Sequence, residues 1–236
     1  MGGGGQKAPS PSGERVGGGG GSAPSPARGP SPLPTLPPEA GRAASPIAPF
    51  ADIGIADRPL VGGKGGSLGE LTRAGIAVPG GFVVTTAGFE AFLAGLEAVE
   101  PIRPLVEALD PDDLDGAAAL SQALRARVLA EPMPAEVETA LLAAHGQLCA
   151  DARPVAVRSS ATTEDAEDAS FAGLQDTFLW VLDGPTMLAR VRACWASLYS
   201  VESMTYRRRH GLPEAAVAMA VVVQRMVEAV AAGVMF

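Results

Sequence analysis

Two stretches of this chain hold side chains whose types and spacing suit work on a phosphate-like anion. The first is Pro154-Val155-Ala156-Val157-Arg158-Ser159-Ser160-Ala161-Thr162-Thr163-Glu164-Asp165, where a short apolar run delivers an arginine into a cluster of hydroxyls. An arginine at a strand end is a planar fork of donors on a rigid support, able to grip phosphate oxygens in two places. Ser159, Ser160, Thr162 and Thr163 offer further hydroxyl and backbone donors, while Glu164 and Asp165 offer counter-charge. The same residues equally fit a structural arginine paired with Glu164 or Asp165. In the second stretch, Gly62, Gly63, Gly65 and Gly66 surround Lys64 just before a helical pattern at Leu68, Leu71 and Ile76. Glycines admit close backbone approach, N–H groups at a helix start favour an anion, and a lysine adds a mobile positive charge. The spacing is not that of the Walker A loop, which needs Ser or Thr directly after the lysine. A surface turn with a solvated lysine is the alternative.

Two further segments add to the case. Val217 to Val227 reads as a buried strand that emerges into a polar break at Gln224, Met226 and Val227. An adenine ring needs an apolar slot with polar groups at its edge, and such a strand exit can supply both; a plain central strand is the other reading. Ahead of a strand at Phe178 to Leu182, the small residues Ser170, Ala172 and Gly173 form either a loop that closes over phosphates or an ordinary hairpin turn.

The elements that must position these groups follow from periodicity. Val155 to Val157 and Phe82 to Thr85 read as strands, and Thr86 as the cap of a helix with Phe89, Phe92, Leu93 and Leu96 on one face. From about 100 to 150 the pattern is helical, with stripes at Leu120, Leu124 and Val128 and at Val137, Leu141 and Leu148. His145 in this insert reads as a partly exposed helix residue. Pro185 to Tyr206 predicts a helix or helix pair with Leu188, Val191, Trp195, Leu198 and Tyr199 inward, and Arg207-Arg208-Arg209 complements the dipole at its C-terminus. Residues 1–48 are a different material: glycine runs alternate with Pro/Ser/Ala segments and hold about half of the chain's 21 prolines. They carry too few large apolar groups to offset the entropy of ordering, so a disordered tail is expected there, with the folded region over 49–236.

Composition bounds the function. The 236 residues are 47% apolar, enough for a substantial core, and the net charge of -8 argues against a general nucleic-acid binder. No apolar run approaches a membrane span. The two cysteines, Cys149 and Cys194, form no disulfide framework and read as free thiols of a cytoplasmic protein.

In combination and order, Gly62-Gly63-Lys64-Gly65 with Ser67-Leu68-Gly69-Glu70, Ala156 to Ala161, Asp168 to Gly173, Val223 to Val227 and Ala232 to Phe236 resemble one family. It is the N-terminal nucleotide-binding domain of phosphoenolpyruvate synthases and pyruvate phosphate dikinases, a domain shared with rifampin phosphotransferases. Cys194 to Tyr199 with Tyr206-Arg207 looks somewhat closer to the antibiotic-phosphorylating branch. The resemblance implies an α+β, ATP-grasp-like fold in which two subdomains hold ATP. It implies that Lys64 and Arg158 contact the ATP phosphates as the catalytic pair, that Ser170, Ala172 and Gly173 lie over them, and that Gln224, Met226 and Val227 line the adenine pocket. ATP and Mg²⁺ are the implied cofactors, and pyruvate or an antibiotic is the acceptor, reached through a phosphorylated histidine on a separate domain. Leu174 stands where the family usually has a second glutamine, and Ala166-Glu167 replaces a usual Leu-Pro. By the resemblance, the acidic magnesium ligands, the phosphorylatable histidine and the acceptor domain fall beyond residue 236, and His145 and His210 lack that histidine's glycine-rich setting. No metal ligand is therefore assigned within the chain. The chain reads as the ATP-binding part of a pyruvate, water dikinase-like enzyme, of an antibiotic kinase, or as a truncated non-catalytic fragment.

Overall fold

A computed structural model describes residues 1–2, 45–162 and 176–233. Five strands form one sheet: β1 Ile47–Pro49, β2 Gly81–Val84, β3 Val155–Ala161, β4 Thr177–Val181 and β5 Met219–Arg225. The order is β1-β2-β5-β3-β4, and every neighbouring pair is antiparallel. Ala220 to Val223 at the centre are fully buried. A continuous apolar run is what a strand covered on both faces requires.

Seven helices accompany the sheet among the described residues: α1 Arg58–Arg73, α2 Thr86–Val99, α3 Arg103–Glu107, α4 Leu114–Ala130, α5 Ala135–Leu148, α6 Gly184–Ser197 and α7 Val201–Arg209. Side-chain oxygens of Asp113, Asp183 and Ser200 accept the N–H groups of Gly116, Thr186 and Ser203, so the starts of α4, α6 and α7 are set locally. The cap of α2 is Thr85 rather than Thr86: its hydroxyl oxygen accepts the Gly88 N–H at 3.4 Å.

Helices α2 to α7 build the larger core on one face. Phe82, Val84, Val155, Val157, Val221 and Val223 from the sheet meet Phe89, Phe92, Leu124, Leu141, Met187 and Val191. Trp195 sits at the middle, its ring 4.7 Å from that of Phe92, its indole N–H donating to the Met219 carbonyl at 3.2 Å. The 100–150 segment is helical as its pattern predicts and is tied in by the Ser121 hydroxyl donating to Tyr199 O and Arg192 to Glu131 O. His145 is buried, not partly exposed, and its Nε2 lies 3.5 Å from Cys149 Sγ. Burial pushes its pKa down, and Asp183 opposes that shift. The opposite sheet face carries a smaller core of Ala48, Phe50, Ile53, Val61, Val83, Ala220 and Val222, covered by α1.

The arrangement is α+β. The stripe predicted at Leu68, Leu71 and Ile76 is not what α1 buries. Leu71 and Ile76 are exposed, while Val61, Gly62, Gly65, Gly66 and Gly69 are buried, Gly62 and Gly65 against the strands and Gly66 and Gly69 against the segment Ile53 to Ile55. Glycine there lets the helix backbone approach closely: a Cβ on Gly69 would collide with the carbonyl of Ile53 in the segment after β1.

Candidate functional site

Gly62 is the point from which the site is built. Its φ of 70° breaks the helical path inside α1, dividing a short first turn from the longer run that begins at Gly63. A Cβ at this position would collide with the carbonyl and hydroxyl oxygens of Ser160 on β3. Ser160 is fully buried; its hydroxyl donates to Val61 O at 3.0 Å and accepts the Gly65 N–H at 3.3 Å. One hydroxyl therefore caps both sides of the kink, closing the first turn and opening the second. Lys64 lies between the two bonded residues, so its backbone is pinned to the strand that carries Arg158.

Alternation along β3 puts Ala156, Arg158 and Ser160 on the face that α1 covers. Their β5 partners are Gln224, Val222 and Ala220, and on the other side Arg158 faces Thr177 of β4. Arg158 is half-buried and Thr177 exposed. Among the described residues, α1 covers the Ser160 end of this face, while Arg158, Thr177 and Gln224 lie toward its more open part. The Gln224 amide donates to Pro79 O at 3.2 Å. The charge of Lys64 is felt at the Cys194 thiol: burial and Asp176 raise that thiol's pKa, while Lys64 and the Ser159 N–H counter them. Asp176 and β3 are joined directly by the Ser159 N–H donating to Asp176 O at 3.1 Å.

The hydroxyl cluster after Arg158 does not serve as the free donor set that its composition predicts. Ser160 is spent on the kink, the Ser159 hydroxyl donates to Asp176 O at 3.3 Å, and the Thr162 hydroxyl donates to Ala218 O at 3.2 Å. These bonds fasten β3 to its neighbours. Thr163, Glu164, Asp165, Ser170, Ala172, Gly173 and Leu174 lie outside the described residues.

Beyond Arg225 the chain leaves the sheet, with the Met226 N–H donating to Pro154 O at 2.9 Å. Met226 and Val227 then line a cleft of about 350 Å³ together with Arg153, Pro154, Trp180 and Glu228. Of the predicted residues, Arg158 and Gln224 share one sheet face, Lys64 lies on the helix whose backbone is bonded to that face, and Met226 and Val227 line the cleft beyond β5. Three participants were not singled out by the sequence reading: Ser160 as the lock on the kink, Thr177 beside Arg158, and Trp180 in the cleft. Thr177 was readable only once strand pairing was known.

Residues 58–236 match the family described as pyruvate phosphate dikinase, AMP/ATP-binding domain. A probable phosphoenolpyruvate synthase of Methanothermobacter thermautotrophicus is 40% identical over 194 residues, covering 80% of this chain and 28% of the relative. A rifampicin phosphotransferase of a Streptomyces species is 42% identical over 194 residues, covering 80% and 22%. A phosphoenolpyruvate synthase of Deinococcus radiodurans is 40% identical over 185 residues, covering 77% and 24%. The chain thus spans about a quarter of the length of these curated relatives. Since the matched span takes in the kinked helix, Arg158 and the exit of β5 alike, this chain belongs to the pyruvate phosphate dikinase AMP/ATP-binding domain family.

Proposed function

We propose that this chain binds ATP across the open part of the sheet face, with Lys64 and Arg158 on the phosphates, as the nucleotide-binding part of a phosphoenolpyruvate synthase-like phosphotransferase. The observation that carries this reading is the Ser160 lock: it fixes the backbone around Lys64 against β3, two residues along from Arg158 on the same face. A flexible ammonium and a planar guanidinium then approach one anion from helix and strand. Phosphoryl transfer asks little covalent chemistry of a protein and much positioning and neutralisation of spreading charge. Two cations held on rigid elements meet that demand. Ser170, Ala172 and Gly173 would lie over the phosphates, and Gln224, Met226 and Val227 would receive the base.

The fold is read as one α+β lobe of an ATP-grasp-like pair, acting in the cytoplasm. Among the described residues no three His, Cys, Asp or Glu side chains gather into a metal site. The magnesium implied by the family resemblance finds no donor set there, and no step is derived through it. Likewise among the described residues, no helix is long and apolar enough to cross a membrane. Pyruvate is the proposed acceptor. A rifamycin-like antibiotic is the second reading; it is supported by the 42% identity to the Streptomyces rifampicin phosphotransferase, which a phosphoenolpyruvate synthase relative equals.

Calorimetric titration of the chain with ATP tests the reading. Charge-assisted hydrogen bonds of this kind are worth about 1.5–3 kcal/mol, so Arg158→Ala and Lys64→Ala should each weaken binding roughly tenfold to a hundredfold. Thermal melting should stay close to wild type, because neither side chain belongs to either apolar core. Wild-type ATP affinity in both variants overturns the assignment.

A further inference from the structure

Val157 on β3 faces Phe178 on β4, and Val155 faces Val181. Two steps on β3 therefore match three on β4, and β4 carries one residue too many. This bulge turns Val181 back into the core, where it is 3% exposed, and turns Trp180 out, where it is 59% exposed. Trp180 pays with a φ of 57°, a left-handed conformation that side chains other than Gly, Asn and Asp rarely adopt. A large aromatic residue held strained and outward is the kind of outlier that marks a ligand site.

What it faces supports that. Trp180 lines the cleft of about 350 Å³ with Pro154, Met226 and Val227, and with Arg153 and Glu228 as its polar lining. That volume lies in the small-ligand range. The N–H groups of Val227 and Glu228 make no hydrogen bond among the described residues. Trp180 stands three residues along β4 from Thr177, the partner of Arg158, so the cleft and the proposed phosphate grip meet on one strand.

We infer that Trp180 is the stacking platform for the nucleotide's purine base, and so a further binding residue of this chain. The inference rests on the proposed phosphate grip at Lys64 and Arg158.

The chain has two tryptophans, and Trp195 is fully buried, so ligand-dependent emission reports on Trp180. The test is a titration of the full chain with ATP and with inorganic tripolyphosphate, followed by tryptophan emission, by acrylamide quenching and by calorimetry. ATP should alter the emission and shield it from acrylamide; tripolyphosphate should bind without doing either. Stacking of a base on an aromatic side chain predicts that Trp180→Ala weakens ATP roughly fivefold to a hundredfold and leaves tripolyphosphate affinity unchanged, while Trp180→Phe restores much of the loss. ATP bound with wild-type affinity by Trp180→Ala, or bound by the wild type with no change in emission or quenching, overturns the role of Trp180 and leaves the phosphate grip standing. Failure of folded wild-type chain to bind either compound overturns both.

Discussion

Gly62 is the residue on which the geometry turns. It is the only residue type that meets both demands at its position, a φ of 70° and no atom where Ser160 lies. Gly62→Ala is expected to lower unfolding stability by about 3 kcal/mol, combining left-handed strain with overpacking. Urea unfolding would measure it, and wild-type stability would show that the kink does not depend on glycine. The glycine run was visible in the sequence, as was its chemistry, a close backbone approach. What the glycines approach was not visible: the run reads as reaching for a ligand, yet Gly62 and Gly65 reach for Ser160, 95 residues from the latter. The hydroxyls after Arg158 misled for the same reason. Ser and Thr bond backbone as readily as ligand, and only the fold decides which partner is present.

At the scale of elements, the three arginines closing α7 show how one pattern hides different roles. A dipole-complementing cluster accounts for the sequence, but Arg207 is 1% exposed. Its Nε donates to Glu214 Oε1 at 2.8 Å, and further donors reach Leu198 O at 2.7 Å and Ser203 Oγ at 2.8 Å. Arg208 and Arg209 instead fasten α7 to Leu109, Pro111 and Asp112. Removing one partner of a buried, fully bonded pair strands a charge. Glu214→Ala is therefore expected to destabilise by roughly 3–5 kcal/mol, and the paired change Arg207→Met with Glu214→Leu by much less. A double-mutant cycle read by chemical unfolding checks this; additive losses would contradict it. Strands and long helices were legible because apolar periodicity reports burial directly. The bulge in β4 was not, because it exists only in the register between two strands.

For the whole molecule, the two sheet faces are covered differently, and the proposed function rests on that difference. Helices α2 to α7 with Trp195 at their centre fill one face and make it a rigid base. Over the other face, among the described residues, lie α1 and the turn that carries Phe50 and Ile53, with Arg158 half-buried and Thr177 exposed beyond them. The two-sided burial of β5 was readable as an unbroken apolar run. Which side stays open was not, because it follows from where α1 stops. The most direct test of the proposed function is the phosphorus-31 spectrum of ATP as the chain is added. Wild-type protein should shift or broaden the phosphate resonances, and the folded Lys64→Ala, Arg158→Ala double variant should leave them near their free positions. Equal perturbation by both proteins would contradict the account, because the phosphates would then be held by other groups.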